Sequence, residues 1–169
     1  MRFIRFLILA VALVALASCG ERSKFKSYNG PEVTQIVVLK EQRTMYLMHN
    51  KQRLKTYRFD LGFAPTGDKK IEGDGKTPEG VYFIDRRNPE SRFHLSLGIS
   101  YPNEFDRAEA EALGESPGGD IFIHGRGPFY NIARNRKDDW TWGCIAVSDR
   151  EVEEIYSMVK TGTQIVIMP

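Results

Sequence analysis

Few side chains in this 169-residue chain are equipped for covalent chemistry: it holds two cysteines, Cys19 and Cys144, and three histidines, His49, His94 and His124. Acyl transfer by a thiol needs a sulfur nucleophile, an imidazole that takes and returns its proton, and backbone N–H groups aimed at the oxygen that becomes negative. Cys144 follows Thr141-Trp142-Gly143. The glycine leaves the backbone before the sulfur without a Cβ, so N–H groups of the turn could face a substrate carbonyl. An unpaired cysteine can equally be an inert buried thiol or an intermolecular link, and without context the inert thiol is the plainer reading.

The three histidines differ as candidate bases. His49 sits in a hairpin turn, exposed. His94, in Arg92-Phe93-His94-Leu95, falls in an expected strand over 93–97, as a structural histidine or one that reaches a cleft. His124 ends the short apolar run Ile121-Phe122-Ile123, is followed by Gly125, and stands twenty positions before Cys144. Two neighbouring strands joined by the intervening loop could hold its imidazole against the sulfur, with a carbonyl such as that of Gly125 accepting the other ring N–H. The alternative is a core thiol beside a packed histidine. The histidines lack ligand spacing, so no metal site is expected, and no cofactor.

The elements that must position these residues read as mainly β with a few helices. Ile36–Leu39, Met45–Met48 and a run in which Tyr57, Phe59 and Leu61 alternate with Thr56, Arg58 and Asp60 predict a three-stranded antiparallel meander, with Lys40 to Arg43 as a polar turn. A Gly-, Asp- and Lys-rich loop over 62–76 leads to a strand at Val81–Ile84. Asn103 and Gly114 bracket an Ala/Glu-rich helix as N-cap and C′. Trp140 to Val147 returns to a β pattern around the cysteine. Ser148-x-x-Glu151 is a capping box opening a helix with Val152, Ile155, Tyr156 and Val159 on one face, stopped by Gly162, before a last strand at Ile165–Ile167.

Met1 to Ser18 carries Arg2 and Arg5 and then an apolar run, the pattern of an export signal, ending in Leu16-Ala17-Ser18-Cys19. This resembles a bacterial lipobox, which implies lipid on Cys19, a membrane anchor and a polar tether over 19–32; an ordinary cleaved signal would also place the domain outside the cytoplasm. Gly20 after the cysteine favours the outer membrane over the inner, with the domain in the periplasm. The 24 Lys and Arg against 22 Asp and Glu give +2, and loss of Arg2 and Arg5 leaves the remainder balanced. No basic stripe is present, which removes nucleic acid as a partner.

Ile123-His124-Gly125 and Thr141-Trp142-Gly143-Cys144-Ile145 resemble the His-Gly and Ser/Thr-x-Gly-Cys-Ile/Val signature of the L,D-transpeptidase (YkuD-like) catalytic domain. Gly75 to Ile84 resembles the family's Thr-Pro-x-Gly-x-Phe/Tyr element, and Pro117-Gly118-Gly119-Asp120-Ile121 its Pro-Gly-Gly lead-in, so that the likeness spans 33–168. The resemblance implies a β-sandwich or barrel and a substrate in peptidoglycan stem peptides. It implies a cysteine that attacks the carbonyl of the third residue, expels D-alanine, and passes the acyl group to an amine, giving a cross-link or a lipoprotein attachment, or to water. It makes Cys144 the nucleophile, His124 the base, Gly125 the carbonyl that orients it, and Trp142, Gly143 and Cys144 the oxyanion donors, with Thr141 in the Ser/Thr position.

Trp142 and Ala146 stand where many members have histidine and arginine or asparagine. Asp139 to Val147 instead resembles a proteobacterial branch that includes an amidase releasing bound lipoprotein, so transpeptidase, L,D-carboxypeptidase and amidase stay open. A silent envelope lipoprotein that binds wall peptides is the rival from outside enzymology. Arg126, Arg134 and Arg136 either meet stem-peptide carboxylates or are solvated loop charges. Trp140 and Trp142 either line the cleft or anchor the loop.

Overall fold

A computed structural model describes residues 23–129 and 139–169. The signal segment, Cys19, Arg134 and Arg136 lie outside the described residues. The strands are β1 (Gln35–Leu39), β2 (Thr44–His49), β3 (Gln52–Arg58), β4 (Gly80–Asn88), β5 (Ser96–Ile99), β6 (Phe122–His124), β7 (Ile145–Ala146) and β8 (Gln164–Met168); the helices are α1 (Glu104–Ala112) and α2 (Asp149–Met158). All eight strands form one sheet in the order β3-β2-β1-β8-β4-β5-β6-β7.

The meander forms as its alternation predicts, with Ile36, Val38, Met45 and Leu47 fully buried on one face. The run through Tyr57, Phe59 and Leu61 is longer than β3. Past Arg58 the chain crosses to the far end of the strand order, where Asp60 and Ala146 exchange backbone hydrogen bonds of 2.8 and 2.9 Å and Thr141 bonds with Leu61 and Phe63, both at 3.0 Å. The alternation persists because each stretch has its own backbone partner and the same core to face. The sheet thereby curls back on itself as a partly closed barrel around Ile84, Leu97, Ile99, Ile123, Ile145, Ile165 and Ile167.

The expected capping box at Ser148 forms, and Asn103, expected as an N-cap, completes a second one with Asp106. Asn103 accepts from the N–H groups of Phe105 and Asp106 while Asp106 accepts from Asn103 N–H; Ser148 and Glu151 do the same for α2. Gly114 takes its left-handed turn at φ +72°. α2 buries Val152, Ile155 and Met158. It ends at Met158, ahead of Gly162, whose φ of +91° belongs to the turn into β8. No described helix is long and apolar enough to cross a membrane.

Two local expectations shift. The strand expected over 93–97 begins at Ser96, because His94 adopts φ +76° and Phe93 and His94 turn the chain into β5. Lys40, read as part of a polar turn, is buried: its ammonium donates to Gly67 O (2.7 Å), Thr77 O (2.8 Å) and Glu79 Oε1 (2.7 Å), fastening the long loop to β1.

Candidate functional site

The site lies where β6 and β7 run side by side in parallel, with His124 opposite Ala146. His124 is the last residue of β6, and its Nδ1 donates to Gly125 O at 2.6 Å. That bond fixes the tautomer, leaving Nε2 with its lone pair free to accept a proton. The ring lies between aromatic neighbours, with centroids 4.4 Å from Phe93 and 5.9 Å from Trp140. Trp140 is held in turn by its indole N–H on Asp60 Oδ2 (3.0 Å), the carboxylate oxygen that also accepts from Arg126 Nη2 (2.8 Å).

The turn carrying Cys144 is clamped by two threonines. Thr77 Oγ1 donates to Gly143 O at 2.8 Å, and Thr141 Oγ1 donates to Cys144 O at 2.7 Å. Gly143 is required here: its φ is +120°, and a Cβ would lie 2.5 Å from the carbonyl oxygen of Lys76. Lys40 braces the same clamp from behind through Thr77 O.

His124 and Cys144 open on one cleft of about 290 Å³, lined also by Asn88, Ser96, Asp120 and Phe122. The thiol lies 3.5 Å from Asp120 O, to which it donates. Burial pushes the Cys144 thiol up to about 11 and the His124 imidazole down to about 4, the bond to Gly125 O only partly offsetting the latter. Desolvation penalises the charged form of each, so the resting pair is a neutral thiol and a neutral imidazole. Such a pair can add sulfur to a carbonyl while Nε2 takes the S–H proton.

The structure sets Cys144 and His124, with the Gly125 carbonyl on the His124 ring, on one cleft and separates the rest. Gly143 N–H, expected among the oxyanion donors, turns inward to Thr141 Oγ1 at 3.2 Å. Thr141 itself is buried and serves the turn instead of facing substrate. His94 does not line the cleft; its Nε2 meets Glu153 Oε1 on α2 at 2.9 Å. Arg126 is tied to Asp60, and Trp140 supports the His124 ring. Trp142 stands 72 % exposed at the surface, edge-on to Phe63 with centroids 5.1 Å apart. His49 bonds Glu32 O on the β2–β3 hairpin. Sequence reasoning missed Asp60, Lys40 and Thr77 as supports; Thr77 alone carried a signal, lying inside the Thr-Pro-x-Gly element. Among the described residues no group of three His, Cys, Asp or Glu is placed to hold a metal ion.

Comparison with known proteins bears on the family and the fold. The family model of the YkuD L,D-transpeptidase catalytic domain matches residues 33–167. YafK of Escherichia coli (strain K12) is 30% identical over 140 residues, a match covering 79% of this chain and 50% of that protein. The chain therefore spans about half the length of this curated relative. Among solved structures, the helical cell shape determining protein Pgp2 of Campylobacter jejuni superposes with a TM-score of 0.61 at 26% identity, over 90% of this chain and 53% of that one. An L,D-transpeptidase from Mycobacterium smegmatis shares the fold at 13% identity, with a TM-score of 0.53 over 81% of this chain and 59% of its own.

Proposed function

Because the chain belongs to the YkuD family of L,D-transpeptidase catalytic domains, we propose that it is a cysteine acyltransferase acting on peptidoglycan stem peptides through a thioester on Cys144. One observation carries this reading: a neutral imidazole with a fixed tautomer and a thiol open on the same cleft. Cys144 Sγ attacks the carbonyl of the third stem residue as His124 Nε2 takes its proton. The S–C bond forms, the C–N bond to the terminal D-alanine breaks, and the imidazolium returns the proton to the departing amine. With Gly143 N–H committed to Thr141, the N–H groups of Trp142 and Cys144 are the oxyanion donors. The thioester then passes to an amine, which can belong to a second stem peptide or a wall-attached lipoprotein, or to water.

The same reading places the domain in the cell envelope, held to a membrane by lipid on Cys19. Loss of membrane fractionation in a Cys19→Ser protein supports the anchor, and unchanged fractionation removes it. For the chemistry, the protein is incubated with a stem tetrapeptide and its intact mass followed. An adduct equal to the tripeptide acyl group, absent in Cys144→Ala, supports the acyl-enzyme. Tight peptide binding with no adduct and no released D-alanine would leave a wall-peptide binder in its place. Muropeptides from deletion and overexpression strains then separate transpeptidase, carboxypeptidase and amidase.

A further inference from the structure

Taking the proton from Cys144 puts a positive charge on His124, in a place that discourages one. Burial holds the ring neutral, and its Nδ1 bonds a carbonyl, Gly125 O, and not a carboxylate. Asp149 acts on the ring from α2, but its Oδ1 already accepts from the N–H groups of Arg126 and Gly127. Asp60 reaches the ring only through Trp140, and Arg92 and Asp120 share the cleft. The closest ring neighbour is Phe93, which lies alongside the imidazole with centroids 4.4 Å apart and planes inclined by 30°, whereas Trp140 stands at 75° and 5.9 Å.

The backbone is shaped to bring this ring in. Phe93 O accepts from Leu95 N–H at 3.0 Å around the left-handed His94, whose side chain goes to Glu153 while Phe93 lines the cleft. The segment past His124 can approach because it lacks side chains: a Cβ on Gly125 would lie 2.7 Å from Phe93 O, and one on Gly127 3.0 Å from Phe93 Cα. The residue that offers its carbonyl to His124 thus also admits Phe93. The face of a benzene ring is electron-rich and attracts a cation, most strongly where water is excluded, and gives a neutral imidazole much less. The contact therefore strengthens as the proton arrives. We propose that Phe93, acting through His124, stabilises the imidazolium formed during acyl transfer, in place of a carboxylate partner. This rests on the acyl-enzyme reading above.

The test replaces Phe93 in the full chain by mono-, tri- and pentafluorophenylalanine, which keep the ring's shape and drain its face of electrons in steps. In Cys144→Ala protein the His124 imidazole is titrated through its ring nitrogen NMR signals, a measurement that needs no turnover. Its pKa should fall with each step, by about one unit overall. With the thiol present, thioester formation from a stem tetrapeptide near neutral pH is timed by intact mass. It should slow in the same order, by about five- to tenfold overall. A ring that only packs or shields would leave both quantities unmoved, and melting temperatures report that the fold is kept. A titration point or a rate that ignores the fluorines, in proteins of wild-type melting temperature, overturns the role of Phe93 and leaves the acyl-enzyme standing. No thioester from the wild-type protein overturns both.

Discussion

If Cys144 and His124 rest as a neutral pair, two reactions of the same sulfur should follow opposite pH profiles. With the imidazole at about 4 and the thiol at about 11, moving the proton between them runs about seven pKa units uphill. At 1.36 kcal/mol per unit that is about 9 kcal/mol. Attraction between two such charges in contact, about 4 kcal/mol at an effective dielectric of about 20, offsets only part of this, so the ion pair stays above the neutral pair. Alkylation of Cys144 by iodoacetamide requires thiolate, so its second-order rate should climb about tenfold per pH unit from pH 5 to 10. Acylation by a stem tetrapeptide, in which His124 takes the proton during attack, should stay flat over that range. His124→Ala should convert the flat profile into the rising one. A plateau in the alkylation profile with its midpoint near pH 6 to 7 would show a preformed ion pair and refute the reasoning.

Further outcomes concern stability and support of the site. His124 has a folded pKa below its unfolded value of 6.5, so the unfolded chain binds the proton first: stability is complete above pH 6.5 and is lost as pH falls toward 4, by about 3 kcal/mol in all. Urea midpoints at pH 7.5, 5.5 and 4.5 should show this slope in the wild type, and the part due to the imidazole should vanish in His124→Gln. Gly143→Ala forces a side chain onto the Lys76 carbonyl at φ +120°. It should cost about 2 kcal/mol or more, lower the melting temperature by at least about 4–8 °C, and stop acylation. Lys40→Met strands Glu79 and two carbonyls and should cost about 3–5 kcal/mol. Its acylation rate should fall as well, because Thr77 loses its brace; a full rate in folded Lys40→Met would break the proposed link from loop to nucleophile.

What the sequence disclosed was whatever is local. The Ser148 capping box and the Asn103 N-cap are each contained within four residues, and the meander follows from period-two alternation. The proposal of Cys144 and His124 as partners comes from the His-Gly and Gly-Cys motifs, the twenty-position spacing leaving a core thiol open. What stayed hidden depends on contacts between distant segments. Asp60 looks like an ordinary outward residue of an alternating strand until the chain beyond β3 crosses to β7 and sets its carboxylate under Trp140 and Arg126. Lys40 looks like a solvated turn lysine because its acceptors lie 27 to 39 positions away. His94 looked available to the cleft, but a left-handed turn gives its ring to Glu153.

The place of β8 in the strand order bears on how the chain acquires its structure. It lies between β1 and β4, so the meander and the half that carries Cys144 have no strand in common until the residues after Thr163 insert between them. Before that step each half presents a bare edge, and the backbone bonds of Asp60 with Ala146 and of Leu61 and Phe63 with Thr141 would have to close a ring with a gap in its opposite wall. A non-local insertion of this kind is slow compared with forming a hairpin. The thiol should therefore be the last functional group to receive its surroundings, and refolding followed by thiol reactivity should lag behind refolding followed by β-sheet signal.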